Sequence, residues 1–312
     1  MKWNRSKGRK DRNVIDARGS SPSSAGGSGG GLGGLPIPSS MAGIGGGAGL
    51  IVVIVIVAIS LIGGGGSGGS GFDLGSVLGA GATAPGTENP VGIPPDEDPQ
   101  RDLKEFSTYV FNDTQDTWKR IFEQRGEGYD PAQLYLYANA VRTDGCGSAS
   151  SAVGPFYCPA DQRVYLDLSF YEDMRTQLDA SGDFAWAYVI AHEIGHHVQN
   201  LLGTNAEVDR LSRDDPDRAN ELSVRTELQA DCYSGVWAAT VFKAGDLEEG
   251  DIEEAFNAAE AVGDDRLQRQ AGQSVNPDSF THGTSEQRRR WFDTGFESGD
   301  PARCDTFSVD QV

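Results

Sequence analysis

Basic side chains are scarce in this sequence: 26 Lys and Arg stand against 46 Asp and Glu, a formal net charge of −20. Phosphate binding needs a basic surface, so the balance excludes nucleic acid as a partner. The shortage is uneven. Residues 1–20 hold Lys2, Arg5, Lys7, Arg9, Lys10, Arg12 and Arg18 against Asp11 and Asp16, a local +5, which leaves −25 for the rest. Cysteine is also sparse, with Cys146, Cys158, Cys232 and Cys304 only. None forms a Cys-x-x-Cys pair, which excludes a thiolate-rich zinc site. Outside the cytoplasm an even number favours two disulfides. Cys146 and Cys158 flank a Gly/Ser loop and make the first pair, leaving Cys232 with Cys304; the plainer reading is four buried thiols. No repeat of fixed period is present. Histidine is the rarest clue of all: there are four, three of them in one run of six residues.

The first hundred residues lack core material. Gly and Ser runs such as Ser23 to Gly34 and Gly63 to Gly71 cannot bury enough apolar surface to offset their ordering entropy. Residues 1–41 therefore read as a basic, disordered segment. Residues 42–62 carry no charge, and a helix of that length spans roughly 32 Å, the thickness of a bilayer core. They read as a single transmembrane helix, its strong part running from Leu50 to Ile62. About forty residues precede segment 42–62, too many for a usual signal-peptide n-region. The basic excess before it places the N-terminus in the cytoplasm and the rest outside the cell membrane. Residues 63–100, with Pro85, Pro90, Pro94, Pro95 and Pro99, read as a Gly/Pro-rich linker.

From residue 101 to 312 the composition suits one folded domain. Helical spacing of apolar residues predicts helices over Asp102 to Gln124, Phe170 to Leu178, Phe184 to Leu202 (before Gly203), Asp217 to Lys243 (before Gly245) and near Ser285 to Phe296. Leu134 to Val141, Arg163 to Leu168 and a short Phe156 to Cys158 read as strands. The fold class is α+β, helix-rich, with a small sheet.

The decisive segment is His192-Glu193-Ile194-Gly195-His196. Residues four apart on a helix differ by about 40° in direction, so both imidazoles can grip one zinc ion. Glu193 can face the open position and take a proton from a zinc-activated water as general base. The apolar stretch before it, AWAYVIA, predicts a buried helix, where two His and a Glu are costly unless they bind something. A third His six residues on is excluded, because Leu202 stands there. A carboxylate from another helix remains, and Glu227-Leu228-Gln229-Ala230-Asp231 offers one. Glu227 would be the third ligand. Asp231, four residues on, would fix the tautomer of a ligand His. The alternative is two solvated acids on an exposed face. His282, in a loop before the last helix, is read as an oxyanion donor, with a helix cap or a surface role as the alternative. Arg288 assists or pairs with acids, and His197, about 100° off the ligand face, is a packing or supporting residue. The strand at Arg163 to Leu168 is expected to be an edge that holds an extended peptide.

These residues together resemble the neutral zinc metallopeptidase family (YpfJ-type). The likeness is carried by Lys2-Trp3, Asn13-Val14-Ile15-Asp16-Ala17-Arg18, the single hydrophobic segment, His192 to His196, Glu227 to Asp231 with Cys232-Tyr233, and Thr281-His282-Gly283. A Glu ligand with an Asp four residues on also resembles the gluzincin branch of the zincins. The resemblance implies a zincin-like domain, a Zn2+ cofactor and a peptide or protein substrate. It supports the oxyanion role of His282. Two other readings compete. A non-catalytic zinc-stabilised envelope module would have no use for Glu193, and a tethered structural protein would bind no metal.

Overall fold

The helices take up the apolar stretches, and the computed structural model describes residues 1–8, 13–20 and 90–312. In chain order its elements are α1 (Arg5–Gly8), β1 (Val14–Asp16), α2 (Arg101–Gln124), β2 (Gln133–Tyr137), β3 (Ala140–Arg142), β4 (Ser148–Ser150), β5 (Phe156–Cys158) and β6 (Arg163–Asp167). There follow α3 (Phe170–Thr176), α4 (Asp183–Leu201), α5 (Thr204–Asp214), α6 (Ala219–Ala244), α7 (Asp251–Ala261), α8 (Asp264–Gln270) and α9 (Ser285–Ser298). This is a helix-rich α+β architecture.

Helix α4 is buried almost all round from Phe184 to Gln199: its first two turns are apolar, and His192, Glu193, His196, His197 and Gln199 are buried beyond them. It contacts α2, α6 and α7. Helix α6 is buried from Leu222 to Ala239 with few breaks, and packs on α9. At two glycines the α6–α9 contact is between backbones. A Cβ on Gly235 would collide with the Phe292 carbonyl oxygen, and one on Gly295 with that of Cys232. Thr284 and Gln287 close a reciprocal capping box at the start of α9.

The main sheet has the order β1-β2-β6-β5. The first three strands are parallel and β5 is antiparallel to β6. Period-two alternation sorts its side chains. Leu134, Leu136, Tyr157, Val164 and Leu166 enter the helical core. Tyr135, Tyr137, Phe156 and Tyr165 face a smaller core under the β3–β4 hairpin. The strand expected over Leu134 to Val141 is broken at Asn139, whose positive φ of 67° sends the chain from one sheet into the other. The expected edge strand is corrected as well: β6 lies between β2 and β5, and β5 is the edge.

The reading of residues 1–41 as disordered is corrected for the residues described there. Met1 is buried in the main core, and Trp3 packs edge-on against Phe106 with ring centroids 5.4 Å apart. Strand β1 pairs with β2, Val14 opposite Leu134. Beyond it the Arg18 guanidinium is buried between Asp16 (2.9 Å) and Asp98 (2.5 Å). Asp98 had been placed in the linker, so residues 90–100 also belong to the folded body. Segment 42–62 lies outside the described residues. Among the described ones no helix is long and apolar enough to cross a membrane. Both disulfides, Cys146–Cys158 and Cys232–Cys304, are present.

Candidate metal centre

The site forms where α4 crosses α6. The crossing is close because Gly195 has no side chain: a Cβ there would sit 3.0 Å from the Ala230 carbonyl oxygen. That approach brings His192 and His196 of α4 to Glu227 of α6. His192 Nε2 is 3.1 Å from Glu227 Oε2, and His196 Nε2 is 3.5 Å from Glu227 Oε1. All three side chains are buried, and one donor atom from each lies within 4.8 Å of the others.

Each imidazole is aimed by its other nitrogen. His192 Nδ1 meets Asp231 Oδ1 at 2.9 Å, and His196 Nδ1 meets Gln199 Oε1 at 2.8 Å. Both Nδ1 atoms therefore donate, which leaves the Nε2 atoms, the ones that face Glu227, to hold either a proton donated to that carboxylate or a metal ion. Gln199 is itself held: its Nε2 donates to the Thr226 carbonyl (2.7 Å) and to Gln229 Oε1 (3.1 Å). Gln229 in turn donates to the Cys304 carbonyl at 3.0 Å. Two His and a carboxylate are a donor set that suits zinc.

Asp231 is the hub of a second layer. It accepts from Tyr188 OH at 2.5 Å and from Arg288 Nε and Nη2 at 2.8 and 2.9 Å. Burial alone would raise the Asp231 carboxyl, but Arg288 and His192 outweigh it and hold it below its ordinary range. Glu227 behaves alike: burial raises it, and the imidazoles of His196 and His192 pull it well below. Burial would lower His192, yet Asp231 and Glu227 raise it to about 9. A dication at this point competes for the same lone pairs that hold those protons.

Glu193 has a different environment. Burial pushes its carboxyl up, against the pull of His196 and His192. It lines a cleft together with His192, His196, Glu227, His282 and Arg288. The remaining wall is largely apolar, with Val153, Pro155, Phe156 and Tyr157 at β5 and Phe170, Val189 and Val262 elsewhere. His282 arrives from the loop before α9. The Asp264 carboxylate fixes that loop: Oδ2 accepts the backbone N–H groups of Thr281, His282 and Gly283 at 2.7, 2.7 and 3.0 Å. Asp264 Oδ1 meets His282 Nδ1 at 3.2 Å, which leaves Nε2 for the cleft side.

His192, Glu193, His196, Glu227, Asp231, His282 and Arg288 thus come to one place, and His197 does not. Arg288 pairs with Asp231, one of the two roles open to it. His197 is fully buried; its Nε2 donates to the Asp130 carbonyl (2.7 Å) and its Nδ1 accepts from Tyr157 OH (3.0 Å). Burial depresses its pKa to about 4, despite Asp130. Tyr188, Gln199 and Asp264 were not foreseen. Tyr188 precedes His192 by four residues, so helical spacing already put it on the ligand face. Asp264 carried no such signal.

A model of the family described as "Putative neutral zinc metallopeptidase" matches residues 1–307. The chain is 54% identical over 216 residues to the uncharacterized protein YpfJ of Escherichia coli K12, covering 69% of this chain and 74% of that one. It is 45% identical over 209 residues to the uncharacterized protein Rv2575 of Mycobacterium tuberculosis, covering 64% of this chain and 68% of the other. No solved structure matches it.

Proposed function

The chain belongs to the putative neutral zinc metallopeptidase family, and on that premise we propose that it hydrolyses peptide bonds at a zinc ion held by His192, His196 and Glu227, with Glu193 as general base. Zinc is the cofactor the family implies. When bound, it supplies Lewis acidity, making a water more acidic and polarising the scissile carbonyl. The chain supplies the rest. Glu193 takes the proton of the attacking water, and its burial helps it hold that proton before passing it to the leaving amine. His282, positioned by Asp264, donates a hydrogen bond to the developing oxyanion. Among the described residues β5 ends the sheet, with Phe156 and Tyr157 in the cleft wall, so that it can pair with an extended peptide, the part first expected of β6. Segment 42–62 attaches the enzyme to a membrane, a reading supported by 21 consecutive uncharged residues.

One observation carries the catalytic reading. Three buried donors converge, with both imidazoles oriented by partners of their own, and Glu193 lines the same cleft. A purely structural zinc site has no need of that base. The test uses the purified full chain and its Glu193→Gln variant. Both should bind one zinc per chain, while peptide cleavage falls by about 10²–10⁴-fold in the variant. Undiminished cleavage by the variant would remove Glu193 from the mechanism, and wild-type protein without zinc would remove the site.

A further inference from the structure

The two flanks of segment 21–89 meet. The Gly19 N–H donates to the Val91 carbonyl at 2.8 Å, and the Val91 N–H donates to Ser20 Oγ at 2.9 Å. On one side of that junction β1 is hydrogen-bonded into the sheet of the metal-bearing domain. On the other, Asp98 accepts from Arg18 just before α2 begins. A single crossing of a bilayer would separate these flanks by roughly 30 Å of hydrocarbon. Strand pairing and a buried ion pair cannot form over that distance.

We propose that residues 13–20 and the domain of residues 90–312 lie together on the outer side of the membrane, so that segment 42–62 does not cross it as a single span. This rests on the membrane attachment read from segment 42–62 and replaces the topology expected from charge. That expectation put the N-terminus inside because residues 1–20 carry a basic excess. The structure gives three of those cations other work. Arg18 is buried against Asp16 and Asp98, Arg5 pairs with Asp102 at 2.9 Å, and Lys2 donates to the Gly245 carbonyl at 3.2 Å. They are parts of the fold rather than a free retention signal. The two disulfides identify the side, since such bonds persist outside the reducing cytosol. The family match also spans both flanks as one unit, residues 1–307.

Cysteine labelling on the full chain in bacterial cells tests this. The cysteines at 146, 158, 232 and 304 are paired, so an added one reports alone. Ser6→Cys reports on the N-terminal flank and Glu297→Cys on the domain; both positions are exposed. A membrane-impermeant maleimide is applied to spheroplasts before and after lysis, and the chain is located by fractionation. The expected result is membrane-bound protein with both cysteines labelled before lysis, at a ratio near one. Glu297→Cys labelled before lysis and Ser6→Cys only afterwards would overturn the shared side. Protection of both until lysis would overturn the outer side. Recovery of the chain in the soluble fraction would overturn membrane attachment itself, and is told apart by that readout.

Discussion

Two carboxylates behind the site, Asp231 and Asp264, act through other groups. Among the described residues the Asp264 side chain bonds only the His282 loop, and one of its oxygens takes three backbone N–H bonds. Burial would raise its pKa, but His282 and those N–H groups outweigh it, so the folded value lies below the unfolded one of about 3.9. The sign follows. The stabilisation is complete above the unfolded pKa and disappears as pH falls through the folded value. Asp264→Asn should therefore lower stability by roughly 1–3 kcal/mol at pH 6. The gap to wild type should close as thermal melts are taken down toward pH 2.5. A gap that stayed constant with pH would mean that the carboxylate charge contributes nothing. At this scale the sequence was legible wherever helical spacing governs. His192, His196, Glu227 and Asp231 could be paired by counting residues. Asp264 could not, because its partners lie 17 to 19 residues away in an irregular loop.

Among the elements, α6 and α9 set the tolerance for change. Gly235→Ala puts a methyl group against backbone that no side-chain rotation can clear. The expected loss is about 1–3 kcal/mol, as for overpacked cores, or about 2–9 °C in Tm at the size of this domain. Gly128, with nothing within 4 Å of an added Cβ, is the control, and Gly128→Ala should change Tm little. Equal effects at the two positions would discount the backbone contact. Long helices were readable to within a few residues because their apolar residues recur. Strand order was not. β6 was expected at an edge because it precedes the zinc helix in sequence, but strand neighbours are chosen by non-local pairing. Asn139 likewise gave no warning that it would divide one apolar run between two sheets.

For the whole molecule, the surprise lies in the first twenty residues. Their basic, polar composition looks like a solvated arm, and nothing local says otherwise. The partner that changes the reading is Asp98, 80 residues from Arg18. Removing one side of a buried ion pair costs about 3–5 kcal/mol, so Arg18→Ala should be severe. Limited proteolysis is the direct check, with cleavage before residue 20 expected in the variant and resistance in the wild type. Equal resistance would show that β1 holds without the guanidinium.

The link from Cys304 through Gln229 and Gln199 to His196 has one more consequence. A sulfur–sulfur bond well away from the substrate helps decide where an imidazole points. The Cys232→Ser/Cys304→Ser double variant, which leaves every residue of the cleft in place, should therefore surrender its zinc to a chelator sooner than the oxidised enzyme does. Such an enzyme would lose its edge on entering a thiol-rich environment, with no inhibitor present.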